Sequence, residues 1–209
     1  MKNVDDLIEG AEKLATQGLS KGEIADELNV SRETARWLVE RASTDTPSPR
    51  EETTRPPDIH VNWRAIGRDS VRLTYIGKAL ADLLGKSGTG VDLVVGVEKA
   101  GTPIATVVAQ ELDADIAAYV PRKHQWDEGD IEELQGTFSR NFARIRERRC
   151  YVVDDTITSG TTMRETIRAI RGEGGDPVSC GVLVDKQGTE KLDGVPIHSL
   201  VQVIAVGSE

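Results

Sequence analysis

Two adjacent acids, Asp154 and Asp155, close the apolar run Tyr151-Val152-Val153 and are followed by Thr156, Thr158, Ser159, Gly160, Thr161 and Thr162. The apolar run reads as a buried parallel strand, and ligands of open α/β sheets bind outside the carboxyl ends of such strands. A small-residue loop that feeds a helix near Gly160 offers successive backbone N–H groups and the positive end of a helix dipole. Together these cradle a phosphate. The hydroxyls of Thr158, Ser159, Thr161 and Thr162 add donors, and Gly160 lets the backbone approach closely. Two carboxylates suit a phosphate poorly by themselves. They suit a phosphate carried on a sugar, because vicinal hydroxyls donate to carboxylates. The stretch therefore predicts a cradle for a ribose 5-phosphate. The plainer alternative is a strand, a turn and a capped helix with no ligand.

A second strand end, "VVGVEKAGTPIA" (94–105), again leads through a short loop into a helix. Its Lys99 can offset phosphate charge; otherwise it is a solvated loop lysine. An apolar strand, paired acids, a Thr-rich loop with glycine and a following helix are also the signature of the type I phosphoribosyltransferases, which this sequence resembles over roughly residues 60 to 206. The resemblance implies that Asp154 and Asp155 hold the ribose hydroxyls of phosphoribosyl pyrophosphate and that residues 156–162 hold its 5′-phosphate. It implies that Glu98, Lys99, Ala100 and Gly101 form the pyrophosphate loop, where the family often has a non-proline cis peptide. Mg²⁺ in that family is bound mainly by the ligand's own oxygens, so the protein itself needs no metal site. A third piece, "VLVDKQG" (182–188), is similar to the strand and loop after the phosphate helix in orotate phosphoribosyltransferases.

The resemblance breaks at the loop that family enzymes close over the pyrophosphate. The corresponding stretch is "VPRKHQWDEGDIEELQGTFSRNF" (120–142). Arg122 and Lys123 match its basic start and join the ligand-binding candidates. Asp127, Glu128, Asp130, Glu132 and Glu133 then carry the wrong sign for a leaving group with several negative charges. His124 reads as a solvated loop histidine. No catalytic residue is assigned, and the base-binding segment of the orotate enzymes is not recognisable near "HVNWRAIGRDS".

These loops need a sheet to position them. Strand-like "DLVVGV" (92–97), "DIAAYV" (115–120), "CYVVD" (150–154) and "VSCGVLVD" (178–185) alternate with helices expected over about 103–112 and 160–171. Near-continuous apolar strands between helices predict a mainly parallel α/β sheet covered on both faces. Cys150 and Cys180, the only cysteines, read as small hydrophobes in those strands rather than as a disulfide or metal framework.

The first 42 residues are different. Val4, Leu7, Ile8, Ala11, Leu14 and Ala15 form one helical stripe, and Gly18 can end that helix. Ser20 and Glu23 form a capping box, and Leu19 and Ile24 are spaced as a hydrophobic staple. After Leu28 the chain turns through Asn29, and Ser31 caps a third helix. Ala25 is small enough for a close helix crossing, and Val30, Ala35 and Leu38 face inward. Residues 20 to 40 resemble the DNA-binding helix-turn-helix, whose second helix lies in the major groove. Ser31, Arg32, Glu33, Arg36 and Trp37 would then face DNA. A three-helix bundle used for packing or dimerisation is the alternative, as is a Trp37 packed against a neighbouring helix. Nine acids and six bases give this unit a net charge of -3. At about 1 M salt the Debye length falls to roughly 3 Å, so that charge ceases to decide binding.

Between the two parts, "STDTPSPREETTRPPD" (43–58) holds four of the eight prolines and no large apolar side chain, which is linker composition. The domains are thus a helix-turn-helix (1–42), a linker (43–58) and a phosphoribosyltransferase-like effector domain (59–209). The whole chain carries 35 acids against 26 bases, 17 of them arginine, a balance that fits a salt-loving cytoplasm and argues against a general nucleic-acid coat. No apolar run approaches the length of a membrane span, so a soluble cytoplasmic protein without a membrane partner is expected.

This arrangement resembles the purine repressor of Gram-positive bacteria. It is closer, in length and in its orotate-like details, to the archaeal phosphoribosyltransferase-like transcriptional regulators of the GfcR type. That resemblance implies a dimeric regulator of central sugar catabolism genes that binds double-stranded promoter DNA and senses a small phosphorylated sugar or nucleotide. An active orotate-type enzyme and a nucleotide-sensing interaction protein without DNA binding are the alternatives.

Overall fold

The computed structural model describes residues 4–43, 58–88, 90–121 and 136–204. The chain divides into two compact units after Asn62. In the first, α1 (Val4–Thr16), α2 (Lys21–Glu27) and α3 (Arg32–Ala42) enclose Leu7, Ala11, Ile24, Ala25, Leu28, Val30, Ala35 and Leu38. The local signals read from sequence are realised. Gly18 adopts a φ of 84°, which only glycine reaches without strain, and Asn29 turns the chain at a φ of 51°. Glu23 N–H donates to Ser20 Oγ while Ser20 N–H donates to Glu23 Oε2 at 3.0 Å, completing the capping box. At α3, Thr34 N–H donates to Ser31 Oγ at 3.1 Å.

The same unit includes a strap beyond the Pro-rich stretch. Ser31 N–H donates to Asp58 Oδ2 at 2.6 Å, and the His60 imidazole Nδ1 meets the Leu28 carbonyl. Residues 58–62 thereby hold both ends of the α2–α3 turn.

The second unit begins with α4 (Arg64–Gly67) and α5 (Ser70–Gly85). It continues through β1 (Leu93–Val97), α6 (Gly101–Leu112), β2 (Asp115–Val120), β3 (Thr137–Phe138) and β4 (Arg149–Ile157). It ends with α7 (Thr161–Gly172), β5 (Asp176–Asp185), β6 (Lys191–Leu192) and β7 (Val195–Gln202). The strands lie in the order β3-β2-β1-β4-β5-β7-β6. The five inner strands are mutually parallel, and the short β3 and β6 pair antiparallel at the two edges. Met163, Ile167 and Ile170 of α7 join Val95, Val152, Cys180 and Val182 in the core of one face. On the other face Leu84 of α5 lies against Gly181, and Ala105 of α6 lies against Gly96. The sheet is covered on both sides, as the apolar strands require.

The two thiols are buried in β4 and β5. Burial, then the carboxylates of Asp176 and Asp92, pushes the Cys150 thiol up to about 12. Burial pushes Cys180 up as well.

Several elements differ from the sequence expectation. The helix read from about 103 begins two residues earlier, at Gly101. Helices α4 and α5 and strands β3, β6 and β7 had no expected counterpart. Strand β4 does not stop at the acids but runs on to Ile157. Its pairing explains why. β1 leaves β4 at Val153, whereas β5 continues alongside it through Asp154, Thr156 and Ile157. One neighbour is enough to hold the polar stretch extended, and where β1 leaves it Gly101 of α6 comes against Val153 and Asp154.

Candidate functional site

β1 sends its chain through α6 to β2 on one side, and β4 lies on its other side. This reversal is the topological switch point, where sheets of this kind bind their ligands. Two loops flank it. The first, residues 98–100, joins β1 to α6, with Lys99 exposed and Glu98 and Ala100 half-buried. The Glu98–Lys99 peptide is cis. The second is the end of β4 and the turn into α7.

The loops touch through glycine. A Cβ on Gly101 would lie 2.5 Å from the Val153 carbonyl oxygen and 2.9 Å from Asp154 Cα, both backbone atoms that cannot swing aside. Gly101→Ala should therefore separate the two loops. It is expected to cost about 1–3 kcal/mol of stability, the usual penalty for overpacking, and to weaken phosphate binding in the same step. Thermal unfolding and an isothermal titration of the variant check both effects.

Both helices that begin here lack a side-chain cap. Ala100 precedes α6 and Gly160 precedes α7, and neither has a side chain able to accept from the first turn. By contrast, Ser20, Ser31 and Asp69 cap α2, α3 and α5. Thr161 N–H donates to Ser159 Oγ at 3.4 Å, and first-turn N–H groups without such an acceptor at the carboxyl edge of a sheet are open to an anion. Gly160 sits at a φ of 71°, and a Cβ there would lie 2.7 Å from Gln187 Oε1. Gln187 is set in that place by Asp185, a buried carboxylate that accepts the Gln187 and Gly188 N–H groups at 2.8 and 3.1 Å. The "VLVDKQG" segment thus abuts the turn at Gly160.

The hydroxyls divide by role. Ser159 Oγ and Thr161 Oγ1 are 3.0 Å apart and exposed. Thr158 and Thr162 are half-buried. Among the described residues Thr156 Oγ1 is buried without a hydrogen-bond partner, and so is Thr102 Oγ1 in the first turn of α6. Buried hydroxyls left without partners are costly, and a polar ligand at the switch point would satisfy them. Asp154 and Asp155 are half-buried, and Asp155 N–H donates to Asp154 Oδ1 at 2.8 Å. Among the described residues no group of three or more His, Cys, Asp or Glu is placed to hold a metal ion.

Two participants had no sequence signal. Thr102 lies one residue beyond the matched loop. The Trp63 indole Nε1–H donates to Asp155 Oδ2 at 2.8 Å, bridging 92 positions of sequence. The isolated aromatic donor after the linker was its only trace. Arg122 and Lys123, with the acidic stretch behind them, lie outside the described residues.

In the helical unit, Arg32, Glu33 and Arg36 are exposed on α3, and Ser31 is half-buried as its cap. The Arg32 guanidinium folds back over Gly22 of α2. Arg36 Nε pairs with Glu40 at 3.1 Å. Trp37 is different. It packs against the unit's core and carries the Arg41 guanidinium 5.3 Å above its ring. Among the described residues no helix is long and apolar enough to cross a membrane.

The phosphoribosyl transferase domain family matches residues 62–206. The orotate phosphoribosyltransferase of Aeropyrum pernix is similar in fold, with a TM-score of 0.58 over 80% of this chain and 92% of its own, at 22% identity. That of Mycobacterium tuberculosis, solved in complex with 5-phospho-alpha-D-ribosyl 1-diphosphate, has a TM-score of 0.53 over 68% of this chain and 80% of its own, at 20% identity. The transcriptional regulator GfcR of Haloquadratum walsbyi is 65% identical over all of this chain and 96% of its own length. On these matches the chain belongs to the family of transcriptional regulators named GfcR, with a phosphoribosyl transferase domain over residues 62–206.

Proposed function

We propose that this protein is a DNA-binding transcriptional regulator whose phosphoribosyltransferase-like domain senses a phosphoribosyl compound or a related phosphorylated metabolite. One observation carries the reading of the ligand. Two uncapped helix N-termini and a pair of carboxylates meet at the switch point of the sheet. The N–H groups of residues 160–162 and the nearby hydroxyls would take a 5′-phosphate. Asp154 and Asp155 would take the sugar hydroxyls, the loop 98–101 would face a pyrophosphate or its equivalent, and Arg122 and Lys123 would add positive charge for it. Mg²⁺ would arrive on the ligand's own oxygens. The helical unit supplies the DNA contact through Ser31, Arg32, Glu33 and Arg36. Trp37 supports α3 from behind. A two-fold dimer in the cytoplasm would present two such helices to promoter DNA.

Capture of genomic DNA by the purified protein, followed by sequencing, tests the regulator. Enrichment of discrete promoter sites supports it. Uniform recovery of the genome reduces the helical unit to a packing module and leaves a metabolite-sensing interaction protein.

Turnover is a separate matter. The five acids from Asp127 to Glu133 would repel a departing pyrophosphate rather than stabilise it. Purified protein with phosphoribosyl pyrophosphate, Mg²⁺ and a panel of bases is therefore expected to release no pyrophosphate above background. Multiple turnovers on any base would make it an orotate-type enzyme with an added DNA-binding unit.

A further inference from the structure

We propose that Trp63 is a positioning residue of the sugar site, and that its indole makes the site select a ribose with both hydroxyls over the corresponding deoxy sugars. The proposal deepens the reading of Asp154 and Asp155 as holders of the sugar hydroxyls, and rests on it. Both acids lie on the polar end of β4 and are half-buried. Each has one oxygen met by a donor of fixed origin. Asp155 N–H donates to Asp154 Oδ1 at 2.8 Å. The Trp63 indole Nε1–H donates to Asp155 Oδ2 at 2.8 Å. The first donor is main chain and belongs to the strand itself. The second is a side chain brought in from α4, and a substitution can remove it.

The indole is seated by its own turn. Trp63 stands immediately before α4, and its carbonyl accepts the Ile66 and Gly67 N–H groups at 2.8 and 3.1 Å. The ring folds back over that turn. A Cβ on Gly67 would lie 2.4 Å from Cζ3 and 3.0 Å from Cε3 and Cη2, so the benzene edge of the indole rests on the glycine. The N–H edge is the one turned to Asp155. A carboxylate offers about four lone-pair sites, so this bond leaves acceptors for sugar hydroxyls and for any further partner. What the bond changes is their direction. The last torsion of an aspartate is broad, and a donor fixed on one oxygen narrows it. Acceptors aimed before the ligand arrives spare the cost of ordering them, and preorganisation of this kind raises affinity.

The gain falls on the sugar rather than on the phosphate, whose donors are assigned to the main chain of residues 160–162. The probes are therefore inorganic phosphate, ribose 5-phosphate and its 2-deoxy and 3-deoxy analogues, each titrated with Mg²⁺ into the full chain. The wild type should bind ribose 5-phosphate about tenfold more tightly than at least one deoxy analogue. Trp63→Phe keeps an aromatic ring and removes the donor. It should bind ribose 5-phosphate about tenfold more weakly, bind phosphate as the wild type does, and lose most of the preference for the complete diol. Gly67→Ala keeps the donor and pushes the ring from its seat, although alanine is otherwise the better helix former. It should weaken ribose 5-phosphate in the same sense and add nothing further in a Trp63→Phe background.

Thermal unfolding of each variant accompanies the titrations. If Trp63→Phe does not fold, Gly67→Ala carries the same comparison. A loss shared equally by phosphate and every sugar would make the indole a support of the fold alone and would overturn the proposal. So would a preference for the diol that survives unchanged in both variants. A wild type that binds ribose 5-phosphate no better than phosphate, or that does not distinguish it from either deoxy analogue, removes the reading of the sugar site and the proposal with it.

Discussion

Asparagine at both Asp154 and Asp155 is expected to lower the affinity for phosphoribosyl pyrophosphate with Mg²⁺ by at least about a hundredfold. The estimate follows from hydrogen bonds. A bond to a charged acceptor contributes about 1.5–3 kcal/mol, and about 1.4 kcal/mol is a factor of ten. Each substitution keeps the shape of the side chain and removes the charge, and an amide presents a donor where the sugar hydroxyl needs an acceptor. The fold should survive. Both side chains are only half-buried, and the bond from Asp155 N–H to Oδ1 of residue 154 can be kept by an amide oxygen. Strand β4 is held by its backbone pairing with β5 and by Ile157, which is buried in the core. Calorimetric titration of wild type and double variant, beside thermal unfolding of both, decides the matter. Equal affinities would dissociate the acids from ligand binding altogether. A loss confined to one position would assign the sugar contact to that acid alone.

Much of this site could be read directly from the chain, for physical reasons. An apolar run ending in two acids has few places to go except the carboxyl edge of a buried sheet. A glycine required at a left-handed position marks its own turn, as Gly160 does. The helical unit was legible for the same kind of reason, since the capping box of Ser20 and Glu23 and the turn at Asn29 depend on neighbours three or four residues away. What escaped was non-local. The extension of β4 through Thr156 depends on β5, some thirty residues further along the chain. Strand β7 lacks a strong apolar signature because most of its residues are only half-buried, and its place beside β5 is a matter of pairing. Trp63 reaches Asp155 across 92 positions, and no local pattern encodes that distance. The segment read as the loop over the pyrophosphate lies outside the described residues, so its acids bear on function through charge alone.

The second large effect concerns DNA. Arg32→Ala and Arg36→Ala should each weaken binding to a selected genomic site by about 1–3 kcal/mol if the side chain meets a base edge. The two lie four apart on α3, on one face of the helix, so both can enter one groove. Each must first leave its present contact. Arg36 gives up an exposed ion pair with Glu40, which contributes at most about 1 kcal/mol and less in salt. Arg32 only swings off Gly22, against which its guanidinium lies. Glu40→Gln should therefore tighten DNA binding several-fold, and Arg36→Ala should erase that gain, because the pair no longer exists. Base contact and phosphate contact are separable. Loss of a base contact relaxes preference at one position of the site, and loss of a phosphate contact lowers affinity evenly and reduces the salt slope. A dimer adds a geometric expectation, with half-sites about 34–36 Å apart, or a multiple of that spacing. The acidic balance of the chain adds another. With 35 acids against 26 bases, little of the affinity can come from long-range attraction, so specific binding should persist into molar KCl. The measurement is a titration of wild type, Arg32→Ala, Arg36→Ala and Glu40→Gln against the selected site and a scrambled one, at low and high KCl. Equal affinity of the wild type for both sequences, or no change in either arginine variant, would take α3 out of the major groove.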